Sequence, residues 1–194
     1  IIQNSDAHIS DYSLYTMLRD CFDANKDGII SSGEAQADWN QVLARGSSYA
    51  KSVTVNGTVF RYLDFSGVNF SSLKGIEYFV NLQGLSFASS SITDIACLSS
   101  LTQLNYLDLS DNAITDISAF AYSDALQYLN LADNQITSIE ALRYLPALET
   151  LDLTNNKITD FDPLTVTDSL ISLTLTGMKN ANGQTFDNDP ATLY

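Results

Sequence analysis

Leucine recurs at intervals of 22 residues, at Leu63, Leu85, Leu107, Leu129, Leu151 and Leu173. A fixed period of this length means one supersecondary unit stacked on copies of itself, not a globule closed around one centre. Counted from the leading leucine, apolar residues fall at positions 1, 3, 8, 11, 14 and 20; one repeat reads Leu107, Leu109, Ile114, Ile117, Phe120 and Leu126. Alternation over positions 1 to 4 predicts a short strand with one buried face. The later spacing of three predicts a 3₁₀-like turn or short helical piece on the opposite side of the coil.

Position 6 carries Asn112, Asn134 and Asn156. An inward asparagine at the end of each strand can bond backbone groups of its own turn and the next coil, which the bend would otherwise orphan. Val68, Ser90 and Met178 replace it near the ends of the array. Terminal repeats are atypical because they must meet a cap.

The pattern resembles the leucine-rich repeats of bacterial internalins. Ser72-Leu73-Lys74-Gly75-Ile76-Glu77-Tyr78-Phe79, followed by Asn81-Leu82, is similar to the first repeat of internalin-like proteins, and the resemblance covers about residues 10 to 176. It implies an α/β solenoid: a right-handed coil with short parallel strands on its concave face and an α-helical N-terminal cap of EF-hand descent, often metal-free. It also implies a secreted or surface-exposed protein. The similar 22-residue repeats of intracellular phosphatase-regulating proteins are the competing resemblance, against which the calcium-type cap argues. The expected organisation is a helical cap with a hairpin over 1–62, repeats over 63–176 and a C-terminal cap over 177–194.

Residues 23–34 match the EF-hand calcium loop at its diagnostic places. Asp23, Asn25 and Asp27 stand at positions 1, 3 and 5, Gly28 at the sharp turn, Ile29 at the carbonyl position, Ser31 at 9 and Glu34 at 12. These are the oxygen donors a calcium ion requires, so calcium is the one candidate cofactor. Helical patterns flank the loop, with Tyr12, Tyr15, Leu18 and Phe22 before it and Ala35, Trp39, Val42 and Leu43 after it. Two alternating runs around Asn56-Gly57, from Val53 to Phe60, predict a hairpin between the cap and the first repeat.

Positions 0, 2 and 4 must point away from the core. Tyr62, Tyr106 and Tyr128 fall at position 0, and Asp64, Asp108, Asn130 and Asp152 at position 2, while position 4 is small throughout. A tyrosine patch beside an acidic row is the candidate binding face, with Tyr106 and Tyr128 about 5 Å apart at the backbone. Tyr78, Tyr122 and Tyr144 recur at position 16, where packing over the convex face is their expected role.

Charge narrows the partner. The formal net charge is −14, from 23 acidic and 9 basic residues, with no basic cluster. Such a field repels nucleic acid and anionic membrane. No apolar stretch reaches the roughly 18 residues that span a bilayer. The chain opens Ile1-Ile2, as a mature or trimmed form does. Cys21 and Cys97 are expected as two unpaired thiols. His8 is the only histidine, and Asp108 and Asp152 would face open solvent, so no catalytic constellation is expected. The function expected is therefore non-enzymatic: a monomeric module at the bacterial surface or outside the cell, binding a protein through its concave face. A glycan-binding adhesin or a structural spacer in a larger surface protein is the alternative.

Overall fold

A computed structural model describes residues 9–178. Among these residues seven strands form one sheet in sequential order: β1 (Ala50–Val55), β2 (Thr58–Asp64), β3 (Gly84–Ser86), β4 (Tyr106–Asp108), β5 (Tyr128–Asn130), β6 (Thr150–Asp152) and β7 (Ser172–Thr174). From β2 onward the pairing is parallel and in register with the repeat, Leu63 beside Leu85, Leu85 beside Leu107 and so on. Each coil closes its far side with a 3₁₀ segment, as at Ser118–Phe120 and Glu140–Leu142. Leu107, Leu109, Ile114, Ile117, Phe120 and Leu126 are all buried. The 22-residue spacing thus becomes a stack of apolar ladders, each coil burying its core side chains against its neighbours.

The asparagines do the bonding expected of them, but toward the preceding coil rather than the next. Asn134 Nδ2 donates to the carbonyls of Leu109, Leu131 and Ala132 at 2.9–3.2 Å, and its Oδ1 accepts from the Ile114 N–H. Asn112 and Asn156 repeat the pattern. The direction follows from strand geometry. The Leu109 N–H already bonds the Asn130 carbonyl of the following coil, and the Leu109 C=O points the same way. The following chain bends off there, so Asn134 supplies the missing donor.

One position before these asparagines the backbone turns left-handed in every coil: Gly67, Ser89, Asp111, Asp133, Asn155 and Gly177 have φ between 54° and 76°. Gly, Asn and Asp tolerate that region best. A Cβ on Gly177 would collide with the Asn155 side chain, so this glycine is needed for space as well as for φ.

At the N-terminal end, α1 (Tyr12–Phe22) covers the first coil. Asp11 caps this helix through Leu14 N–H and binds Ser71 N–H and Oγ at 2.7 and 2.8 Å with its other oxygen. One buried carboxylate thereby joins cap to repeat. Burial acts to raise its pKa, but these hydrogen bonds outweigh it and hold the carboxyl below its usual value. The helix expected after the acidic loop is broken in two, α2 (Ser32–Ala35) and α3 (Trp39–Ala44). The break falls where Asp38 caps α3 by accepting from Asn40 N–H. Ala35, Trp39 and Val42 are still buried.

The hairpin forms at Asn56-Gly57, with β1 antiparallel to β2. It is not a separate unit ahead of the repeats: β2 runs on through Tyr62, Leu63 and Asp64 and is itself the first repeat strand. From residue 179 onward, the expected C-terminal cap lies outside the described residues.

Candidate functional site

The hairpin decides how much of the concave face is open. Beyond Leu63 and Asp64, β2 has no partner in β3, and the hairpin instead crosses the N-terminal ends of the following strands. Its tip reaches β6, where Asn56 Nδ2 donates to Thr150 Oγ1 at 3.1 Å. Along the way the Arg61 carbonyl passes directly over Gly84, where any Cβ would strike it and Tyr62 Cβ. Phe60 packs on both Tyr106 and Tyr128, with ring centroids 5.6 and 6.2 Å apart.

Beneath the hairpin the position-0 tyrosines stack. Tyr106 and Tyr128 rings lie 4.5 Å apart at 11°, and Tyr62 stacks on Tyr106 at 4.6 Å across the gap that Gly84 leaves. Such pairs add about 0.5–1.5 kcal/mol each beyond their burial. This corrects the expectation of an exposed tyrosine patch. Tyr106 is only 5% accessible, and Tyr62 and Tyr128 are half-buried. The period placed all three on the concave side but could not show that the chain's own hairpin covers them.

Burial, followed by the charges of neighbouring Asp108 and Asp152, pushes the Tyr128 phenol up to about 12. Burial first, then Tyr128 and Asp108, raises Tyr106 further still. A phenol whose folded pKa is raised contributes stability that is complete below the unfolded value, about 10, and is lost as pH climbs through the folded value. The melting temperature should therefore fall between about pH 10 and 12, and a Tyr106→Phe, Tyr128→Phe variant should show a shallower fall over that window. Equal slopes in the two proteins would contradict this assignment.

The acidic row remains accessible. Asp64, Asp108, Asn130 and Asp152 are half-buried, and each accepts at Oδ1 from the backbone N–H two residues on, at 2.9–3.1 Å. These Asx-type turns give every member a structural reason to be Asp or Asn. For the aspartates, the second carboxylate oxygen is left for solvent or a partner. Position 4 runs beside the row as Ser66, Ala88, Ser110, Ala132, Thr154 and Thr176, leaving a shallow lane free of large side chains.

In the acidic loop, Lys26 and Gly28 take left-handed φ values of 60° and 83°. Asp23 Oδ2 accepts from Gly28 N–H at 2.8 Å, while Asp23 Oδ1 is buried with no hydrogen-bond partner. Asn25 Oδ1 accepts from Asp27 N–H, and Asp27 Oδ1 from Ile29 N–H. Glu34 bridges the loop, accepting from Ala24 N–H at Oε1 and from Ser31 N–H and Oγ at Oε2. Burial opposes charge on Glu34, but these bonds prevail and lower its pKa. Among the described residues no three His, Cys, Asp or Glu side chains converge as a metal-holding group. The orphaned Asp23 oxygen fits a cation; Glu34 fits only after exchanging its present bonds.

Comparison with known proteins agrees with this architecture. Residues 80–122 and 124–166 match a family described as leucine-rich repeats, two copies. Among solved structures, the internalin InlF of Listeria monocytogenes is similar over 88% of this chain and 51% of its own, with 24% identity and a TM-score of 0.66. A leucine-rich-repeat protein of Leptospira interrogans is similar over 58% of this chain and 30% of its own, with 26% identity and a TM-score of 0.55.

The matched segments are leucine-rich repeats, and the fold is similar to that of an internalin.

The chain spans about half the length of the Listeria internalin it resembles. No curated protein sequence is significantly similar to it. Elsewhere on this internalin-like solenoid, the position-16 stripe differs from expectation. Tyr122 and Tyr144 are 85% and 77% accessible, so they pack against no convex layer, and Tyr78 is also exposed. The 3₁₀ segments end two residues before Tyr122 and Tyr144, which stand off the coil, whereas Tyr78 is the last residue of its own segment. Cys21 and Cys97 are unpaired, as expected, and Cys21 is fully buried. Burial raises the two thiols to about 11 and about 12. Among the described residues no helix is long and apolar enough to cross a membrane.

Proposed function

We propose that this chain is a non-enzymatic interaction module of a secreted or surface-exposed bacterial protein, binding a protein partner along its concave face. The observation that carries the reading is the open lane beside the hairpin. There Asp64, Asp108, Asn130 and Asp152 line up across the sheet, with Ser86 between the first two and small residues at their flank. Tyr62 and Tyr128 edge this lane, whereas Tyr106 supports it from below. Against an isolated partner, Asp108→Lys with Asp152→Lys should weaken binding at least tenfold, and Tyr122→Ala with Tyr144→Ala should leave it unchanged. The reverse outcome would move the site to the convex stripe. A glycan ligand for the same lane is separated by a glycan array read with the same variants.

Calcium at the acidic loop is a second proposal, supported by the partnerless Asp23 Oδ1. Asp23, Asn25, Asp27, Ser31 and Glu34 would supply side-chain oxygens and Ile29 its carbonyl. Because Glu34 must first give up its bonds to Ala24 and Ser31, affinity should lie near that of weak extracellular sites, about 10⁻⁴–10⁻³ M. Isothermal titration should show saturable heat that Glu34→Gln abolishes. At ten times Kd the fold should gain about 1.4 kcal/mol. Absence of heat at several millimolar calcium would sink the proposal.

A further inference from the structure

At the cap end the lane meets an open cavity of about 460 Å³, whose wall includes Tyr12, Thr16 and Met17 of α1, Tyr49 just before β1, and Asp64 and Val68 of the first coil. That volume lies within the range of small-ligand sites. The wall is mainly apolar, yet Asp64 belongs both to it and to the acidic row, so this open depression adjoins the lane at its first carboxylate. We infer that the lane and this depression together take an extended cationic peptide segment, its basic side chains spaced along Asp64, Asp108 and Asp152 and one apolar side chain seated in the cavity. This inference rests on the concave-face reading and names the partner's chemistry.

Charge and spacing argue for that occupant. No basic residue stands at position 2 or 4 of any coil, and the whole chain carries −14. Asp64, Asp108 and Asp152 are separated by two strands each in an in-register parallel sheet. At about 4.8 Å per strand, successive carboxylates stand roughly 9.6 Å apart. A polyproline II segment, with three residues per turn and a rise of 3.1 Å, returns a side chain to the same side every ~9.3 Å. A β-strand does so every ~6.7 Å, which falls out of step with the row. An α-helix of about 10–12 Å diameter is too wide for a lane that spans positions 2 to 4, about 7 Å. The left-handed extended form alone meets all three carboxylates, and its unpaired backbone groups can bond the Ser and Thr hydroxyls alongside.

The test uses fluorescein-labelled peptides and anisotropy on the full chain. One probe carries arginine at every third position, alanine and proline between, and leucine at each end. A second has the same composition with its arginines at every second position. The first should bind at least tenfold more tightly, weaken with salt, and lose at least tenfold with Asp108→Asn, which keeps the Oδ1 acceptor used by Ser110. Thr16→Trp, which fills the cavity without touching the row, should cost about as much as replacing both leucines by serine. Circular dichroism confirms that each variant is folded. Equal binding of the two probes, or indifference to Thr16→Trp, would overturn the inference. If neither probe binds while an isolated partner still depends on Asp108 and Asp152, the inference fails and the concave-face reading stands. If that partner ignores the charge reversal, the reading itself fails.

Discussion

Replacing Asn134 with alanine should destabilise the protein by about 2–5 kcal/mol and lower its urea midpoint accordingly. Asn134 is 5% accessible and makes four hydrogen bonds, one accepted and three donated. Its removal leaves the Ile114 N–H and the Leu109 carbonyl without partners inside the stack. Each buried orphan costs roughly 1–3 kcal/mol, and no water can reach the site without opening the coil. Because the core side chains of each coil pack against neighbouring coils, the loss should first loosen the stack around the fourth coil, and unfolding should become broader as well as earlier. Gln135→Ala, one residue away on an exposed site, should stay within about 0.5 kcal/mol of the parent. A shift below 1 kcal/mol for Asn134→Ala would mean that the asparagine ladder is dispensable.

Gly84→Ala should lift the hairpin off the concave face. The added methyl group would overlap the Arg61 carbonyl and Tyr62 Cβ, both on the strand that crosses above. Neither can yield cheaply: one is backbone, and the other is held by the Tyr62–Tyr106 stack. Overpacking of this kind costs about 1–3 kcal/mol, and loss of aromatic contacts adds about 1 more. The expected total is about 2–4 kcal/mol. Trypsin should report it, because Lys51 and Arg61 lie on the two hairpin strands and become easier to cleave once the hairpin undocks. Unchanged cleavage at both residues would show that the hairpin does not depend on this contact.

Much of the architecture is legible in the sequence because the repeat is strict. The period fixes which residues stack, so the buried leucines, the 3₁₀ turns and the asparagine ladder follow from spacing alone. The left-handed column at position 5 was equally available: Gly67, Asp111, Asp133, Asn155 and Gly177 are the types that tolerate it, and only Ser89 disguises the pattern. Asp11 is readable as a helix cap, but its bond to Ser71 is not, since that contact joins residues 60 apart. The direction of the asparagine bonds needed the sheet's handed backbone geometry, not merely its period.

The candidate face illustrates the limit more sharply. Asn56-Gly57 announces a hairpin, and Gly84 interrupts a column of tyrosines; together they hint that something passes overhead. Yet the contact that settles the matter joins Asn56 to Thr150, 94 residues away. Nothing local encodes it.

The sequence by itself determined the solenoid, its 22-residue register, its N-terminal cap and the side on which tyrosines and aspartates lie, because nearest-neighbour stacking turns spacing directly into structure. Only the tertiary structure decided which part of that side is accessible. The hairpin leaves the sheet, buries Tyr106 under Phe60 and confines the open surface to the acidic lane and the cavity beside α1, since burial depends on what packs above a strand and not on the pattern within it.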